Sequence, residues 1–231
     1  MRILAIDTST EICSVALGDG LDWDERAVVA GHRHSELLLP MVRGLLGAHD
    51  LALASLDGVA FGAGPGAFTG LRIACGVAQG LALGAGLPLL GISTLEALAE
   101  TARQRYGAGR VVAALDARAQ EVYIAVYRHE GTRWCEVVPP AVISPAEAPV
   151  AEGEWMGVGG GFAAYPTLRQ RYGRGLNSCV PELSPTAAAI GTLAQRRFAA
   201  GEGVAARDAA PIYLRHKVAL TSAERSVGPL P

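Results

Sequence analysis

One run, Gly62-Ala63-Gly64-Pro65-Gly66-Ala67-Phe68-Thr69-Gly70-Leu71-Arg72-Ile73, constrains this chain more than any other stretch. A short apolar strand, Gly58-Val59-Ala60-Phe61, leads into it, and a helix of roughly Gly70 to Gly84 leads out. Four glycines and a proline within nine residues keep bulk away from the backbone, so a ligand or another backbone can come close. A strand, a loop of this kind and a helix start can hold an anion. They can equally form a tight structural corner. The phosphate motifs give the anion little support. A P-loop needs a lysine directly after its second glycine, and the only lysine is Lys217. Gly62-x-Gly64-x-x-Ala67 fits the loose dinucleotide fingerprint, but that pattern wants an acid about 20 residues further on. Residues 84–88 read Gly-Ala-Gly-Leu-Pro.

The flanking chain sets the scale. Its 231 residues, half of them hydrophobic, suffice for one large domain or two small ones. A net charge of −2 does not suit a protein that grips nucleic acid alone. The arginine groups Arg169, Arg171, Arg174, then Arg196, Arg197, and Arg215 with Lys217 read as solvated surface. Cys13, Cys75, Cys135 and Cys179 have no Cys-x-x-Cys spacing and no signal peptide precedes them, so reduced thiols in a cytoplasmic protein are expected. From Ile73 to Thr94 no charged residue occurs, a length that mimics a membrane span. Gly76, Gly80, Gly84, Gly86 and Pro88 interrupt it, so a buried helix, a turn and the strand Leu89–Ile92 are expected instead.

Read in order, Arg2–Ile6 is a buried strand ending at Asp7-Thr8-Ser9-Thr10, followed by strands at Cys13–Leu17 and Glu25–Ala30. Leu37, Leu38, Met41, Val42, Leu45 and Leu46 recur at helical spacing and predict a helix over Ser35–His49. His32 and His34, just before it, lack a carboxylate or cysteine cluster and read as solvent or interface residues. In the Gly70–Gly84 helix, Gly76, Gly80 and Gly84 fall every four residues, leaving one face nearly bare. Ala74, Ala78 and Ala82 are expected to widen that face, with Ile73, Val77 and Leu81 beside it. Small residues at this spacing allow close helix approach. Ser93 and Glu96 form a capping box for a helix reaching about Arg105.

The pattern then repeats. Val112-Ala113-Ala114-Leu115-Asp116 echoes Ile3-Leu4-Ala5-Ile6-Asp7, and Glu121–Val126 echoes Glu11–Ala16. Two related domains are expected, 1–106 and 107–231. In the second, Glu130-Gly131 turns a hairpin into Thr132–Val138 and Pro139-Pro140 breaks the chain. A strand at Glu154–Val158, the loop Gly159–Gly161 and a helix over Phe162–Tyr172 limited by Pro166 follow. Ser184-Pro185 is expected to open a helix to about Ala200. Pro211–Leu214 reads as a last ordered piece, with a frayed tail from about 221.

Asp7 and Asp116 end equivalent strands, as the aspartates of a two-domain Mg-ATP cleft would. Such sites want glycines or hydroxyls beside the aspartate. Asp7 has Ser9 nearby, whereas Asp116 has Arg118 and no hydroxyl. Each aspartate closing its own turn is the favoured reading. Gly-x-Ser-x-Gly and His-Glu-x-x-His are both missing from the sequence.

Ile3–Thr10, His34–Val42, Gly64–Ile73, Gly91–Leu95 and Asp116-Ala117-Arg118 with Glu121-Val122-Tyr123 together resemble the TsaB (YeaZ) family. The resemblance covers the first 127 residues closely and resumes at Pro211–Arg215. The Gly-Pro-Gly-x-Phe-Thr-Gly-x-Arg run is its specific part. The resemblance implies an α/β, actin/Hsp70-like (ASKHA) fold of two related domains, each a mixed sheet flanked by helices. It also implies a non-catalytic accessory role in making threonylcarbamoyladenosine beside the tRNA anticodon. The implied partners are the catalytic paralogue TsaD and the P-loop ATPase TsaE, with tRNA contacted indirectly. ATP and metal then belong to the partner subunits, and this chain has no cofactor of its own. TsaD holds its metal through a His-x-x-x-His motif, whose positions here align with Thr94 and Leu98. The implied partner surface is the first two helices, through Leu38, Met41, Val42, Leu45, Ile73, Gly76, Val77, Gly80, Leu81 and Gly84. Alone, that surface is expected to form a homodimer. Gly64, Pro65, Gly66, Thr69, Gly70 and Arg72 become a structural loop, and Asp7, Ser9, Asp116 and Arg118 a vestigial nucleotide cleft. The alternative from the residues alone is a free-standing ATP-dependent transferase or kinase of the same fold.

Overall fold

Five layers alternate helix and sheet in the computed structural model, which describes residues 1–20 and 22–215. The first sheet contains β1 (Ile3–Asp7), β2 (Ile12–Gly18), β3 (Trp23–Val29), β4 (Gly58–Gly64) and β5 (Leu89–Ser93), in the order β3-β2-β1-β4-β5. The second contains β6 (Arg110–Asp116), β7 (Val122–Glu130), β8 (Arg133–Ile143), β9 (Trp155–Val158) and β10 (Leu176–Val180), in the order β10-β9-β6-β7-β8. These are the same order. In each sheet the central strand pairs antiparallel with the strand after it and parallel with the fourth strand of its half. The short sequence repeat at Asp7 and Asp116 therefore marks a repeat of the whole topology.

The inner strands β1, β4 and β9 are buried along their whole length, on both faces, which explains their unbroken apolar runs. Ile3 and Ala5 of β1 point into the central layer, while Leu4 and Ile6 point out to the first helix pair. That pair is α1 (His34–Ala48) and α2 (Phe68–Ala85). α2 ends at Gly86, whose φ of 67° is the left-handed conformation that lets a helix close cleanly. The central layer consists of α3 (Thr94–Tyr106) from the first half and α6 (Ala187–Ala199) from the second. Ser93 caps α3 by accepting from the Glu96 N–H, as expected.

The two central helices change sides. α3 packs against β6, and α6 returns to cover β1, β2 and β4. The N-terminus of α6 shows why. Its first N–H groups donate to the Ser14 hydroxyl of β2 at 3.2 Å, to the Glu25 carboxylate of β3 at 3.1 Å and to the Thr186 hydroxyl at 3.1 Å. Three otherwise orphan donors are satisfied by this docking. The N-cap is thus Thr186, whose backbone is extended and whose hydroxyl accepts from the Ala189 N–H, rather than the expected Ser184.

The second half differs from expectation in three further places. β8 runs through Pro139-Pro140. It is an edge strand, and the register there skips from Ile124–Ala141 to Val126–Val138, a bulge that accommodates the missing N–H groups. Pro166 divides the expected Phe162–Tyr172 helix into α4 (Gly161–Ala164) and α5 (Pro166–Tyr172). β10 was not legible, since Leu176-Asn177-Ser178-Cys179-Val180 has little apolar patterning and lies on an edge. Pro211–Leu214 lies against the first half, and the expected frayed tail from about 221 falls outside the described residues.

Candidate functional site

The glycine loop packs as a corner. β4 continues through Gly62 and Ala63 to Gly64, so only Pro65–Ala67 separates it from α2. A side-chain carbon on Gly70 would lie 1.9 Å from the Thr8 carbonyl oxygen, and one on Gly66 2.4 Å from that of Ser9. The Thr8 hydroxyl donates to the Gly70 carbonyl at 2.7 Å, and the Ala67 N–H donates to the Ser9 carbonyl at 2.8 Å. The Gly64 N–H donates to the Thr94 hydroxyl at 3.1 Å. The glycines thus admit the chain's own Thr8-Ser9 backbone, and two N–H groups that could cradle an anion already have partners. Thr69 stays exposed. Arg72 lies 3.8 Å over the Phe68 ring, and its Nε donates to the Tyr213 hydroxyl at 3.3 Å.

Each strand-end aspartate closes its own turn. Asp7 is buried and accepts from the Ser9 N–H at 3.1 Å and the Ser9 hydroxyl at 2.9 Å. Burial pushes its carboxyl up to about 7, against the pull of those bonds. The neighbouring Cys13 thiol rises to about 11, mainly through burial and secondarily through Asp7. Asp116 accepts from the Arg118 N–H and the Tyr165 hydroxyl, both at 2.8 Å, and ion-pairs with the Arg118 guanidinium.

Thr94 and Leu98 are both fully buried. Thr94 holds Gly64, and a side-chain carbon on Gly159 would lie 2.6 Å from Leu98. Where TsaD was expected to carry metal-binding imidazoles, this chain has a loop anchor and a packing residue. Among the described residues no three His, Cys, Asp or Glu side chains are grouped to hold a metal.

The helix surface needs correction. Leu38, Val42 and Leu45 cannot form a partner surface, because all three are at most 1% exposed and face β2 and its neighbours. Their 3.6-residue stripe is the inward stripe of α1. Ala74, Ala78 and Ala82 likewise turn inward from α2 rather than widening its smooth face. The outward surface retains Met41, Ile73, Val77 and Leu81, half-buried, and Gly76, Gly80 and Gly84, exposed. A side-chain carbon at any of those three glycines meets nothing within 4 Å. α2 is the one described helix long and apolar enough to cross a membrane, but Leu71, Ala74, Cys75, Ala78 and Ala82 pack it on its own sheet.

Sequence reasoning missed the cluster of Phe68 with Tyr213, whose rings lie 5.6 Å apart across 145 positions of chain. Only the i, i+4 spacing of Phe68 and Arg72 hinted at it. It also missed Glu100. This buried carboxylate accepts from Arg103 at 2.9 and 2.6 Å and from the Trp134 indole at 2.9 Å. Burial alone would push its carboxyl up, but these hydrogen bonds win and hold it below the usual carboxylate value. Glu100 thereby ties α3 to β8 of the other half.

Residues 28–156 match the family described as "TsaD: tRNA N6-adenosine threonylcarbamoyltransferase". The Escherichia coli K12 "tRNA threonylcarbamoyladenosine biosynthesis protein TsaB" is 43% identical over 95% of this chain and 96% of its own. The chain belongs to the TsaB family. The YeaZ structure from Pseudomonas aeruginosa superposes with a TM-score of 0.86 at 41% identity, covering 92% of this chain and 99% of that one. Component A of the Acidaminococcus fermentans (R)-2-hydroxyglutaryl-CoA dehydratase, at 10% identity, shares the fold alone, with a TM-score of 0.51 over 86% of this chain and 99% of its own. The two mixed sheets flanked by helices are the ASKHA architecture that the TsaB resemblance implied.

Proposed function

We propose that this TsaB-family chain is a cytoplasmic, non-catalytic subunit in tRNA threonylcarbamoyladenosine synthesis. It binds the catalytic paralogue TsaD, whose metal and nucleotide do the chemistry, and TsaE joins that assembly. What supports this reading is that Thr94 and Leu98, the positions that the resemblance aligns with the paralogue's metal-binding histidines, are both buried and both used in packing. A hydroxyl already bonded to a backbone N–H and an aliphatic side chain do not replace two imidazoles.

The docking surface is the outward face of α1 and α2, reduced to Met41, Ile73, Gly76, Val77, Gly80, Leu81 and Gly84. Bare glycine backbone lets a second helix approach closely, and the half-buried apolar side chains beside it supply the buried area. The same face supports a homodimer when the chain is alone. The alternative, a free-standing ATP-dependent transferase, is disfavoured because Asp7 and Asp116 are each committed to their own turns.

Nucleoside mass spectrometry of tRNA from cells depleted of this protein tests the proposal. Threonylcarbamoyladenosine should fall and return on re-expression. An unchanged level with depletion verified would contradict the role.

A further inference from the structure

The turn between β6 and β7 is strained. Arg118, Ala119 and Gln120 have φ values of 62°, 51° and 62°, three consecutive non-glycine residues in the left-handed region. Side chains disfavour that region, and such runs persist only where surrounding contacts hold them. Some of those contacts are local. The Ala117 N–H donates to the Glu121 carbonyl at 3.0 Å, Glu121 N–H to the Arg118 carbonyl at 3.0 Å and Arg118 N–H to Asp116 at 2.8 Å. One contact comes from far away. The Arg215 guanidinium donates to the Ala117 carbonyl at 3.2 Å and ion-pairs with Glu121, so it grips the turn on both sides of the left-handed run.

Arg215 belongs to a strap that is anchored on the other half. The Ala209 carbonyl accepts from Gln79 at 3.0 Å, Ile212 N–H donates to the Ala63 carbonyl at 2.7 Å, and Tyr213 meets Phe68 and Arg72. Phe68, Arg72, Cys75 and Gln79 follow one line along α2, a single flank away from Gly76 and Gly80. The strap therefore leaves the edge of the outward α2 face, crosses the Gly64 loop and finishes on the strained turn of the second half.

We propose that residues 209–215 are a latch: Arg215 holds the 117–121 turn in its left-handed form, and the grip of Tyr213 on α2 keeps Arg215 in place. A partner seated on the α2 face would then tighten or release the second-half turn through the strap. That last step rests on the docking reading above, whereas the latch itself is a property of the chain alone.

Amide hydrogen exchange on the full chain without partner tests the latch. Arg215→Ala should speed exchange of the 117–121 amides by about tenfold while the sheets keep their protection. Ala119→Gly relieves the left-handed cost, so Arg215→Ala combined with Ala119→Gly should recover most of the protection. Tyr213→Ala should loosen the same amides by releasing the strap upstream. Unchanged exchange in Arg215→Ala overturns the latch. Loosening that Ala119→Gly does not rescue overturns the strain argument, and an unaffected turn in Tyr213→Ala overturns the transmission along the strap. Sedimentation of wild type and Gly80→Leu reads docking separately, so loss of that reading leaves the latch result standing.

Discussion

The two halves share a strand order and differ in what covers it. The first sheet has α1, a 15-residue helix, between its third and fourth strands, and α2, with 18 residues, between its fourth and fifth. At the first of those places the second half has a single 3-10 turn, Pro145–Glu147, and at the second it has the 4- and 7-residue helices α4 and α5. The inner helices α3 and α6 are alike in length, at 13 residues each. The inner layer is buried between both sheets and cannot shrink without opening a cavity. The outer layer faces solvent and can. The first half keeps a full outer pair, with a glycine face where an added side-chain carbon would meet nothing, and this is the face the proposed docking uses.

The sharpest way to break this comparison is at the glycines that follow the fourth strands. Gly70→Ala drives a carbon into the Thr8 carbonyl, with only backbone to yield. It should cost more than about 3 kcal/mol or prevent folding. In the second half Gly160→Ala meets nothing and should lie within about 1 kcal/mol of wild type. Denaturant melts of the pair measure both.

The strand-end aspartates give the next contrast. Asp7 has a folded value near 7 against an ordinary 3.8, so folding favours its protonated form. Stability from this group is fully present below about 4, falls as pH rises towards 7, and is flat above. A tenfold change in a protonation equilibrium is worth about 1.4 kcal/mol, so the fall is on the order of a few kcal/mol. Asp7→Asn should flatten that part of the pH-stability curve. A wild-type curve without the decline would contradict the assignment.

Glu100 sharpens the boundary between the halves. Glu100→Ala strands the Trp134 indole and leaves Arg103 unpaired, at a cost of about 2 kcal/mol, because Arg103 is partly exposed. Glu100→Gln should recover part of that loss by keeping the Trp134 bond. The smallest stability effect is on α2. Gly76→Ala should stabilise the isolated chain by about 0.5 kcal/mol through helix propensity. By contrast, Ala78→Leu on the inward face should destabilise it by about 1–3 kcal/mol. Thermal melts separate the two faces.

The elements that were legible in sequence are those whose signals are local. β1, β4 and α2 followed from apolar runs and glycines, and α3 from the Ser93–Glu96 cap. The half-chain repeat was visible because a strand ending in aspartate occurs twice. What escaped needed partners distant in sequence. Leu38, Val42 and Leu45 made a proper helical stripe, but a stripe does not say whether the chain's own sheet or a partner covers it. Here β2 does. Thr186 capped α6 because Ser14 and Glu25 receive the neighbouring N–H groups, a contact across more than 160 residues. Pro139-Pro140 looked like a break because its edge position and bulge belong to the sheet. At the glycine loop the residue types allowed either an anion or a corner, and the Thr8-Ser9 backbone occupies the space.

The central claim is that the outward α2 face receives the catalytic partner. The direct measurement is sedimentation of the purified chain mixed with TsaD, for wild type and for Gly76→Leu, with circular dichroism showing that the variant is folded. The account predicts a stable complex for wild type and its loss for Gly76→Leu, with the variant's melting temperature preserved. Complexes of equal stability from both proteins would contradict it and place the partner elsewhere on the molecule.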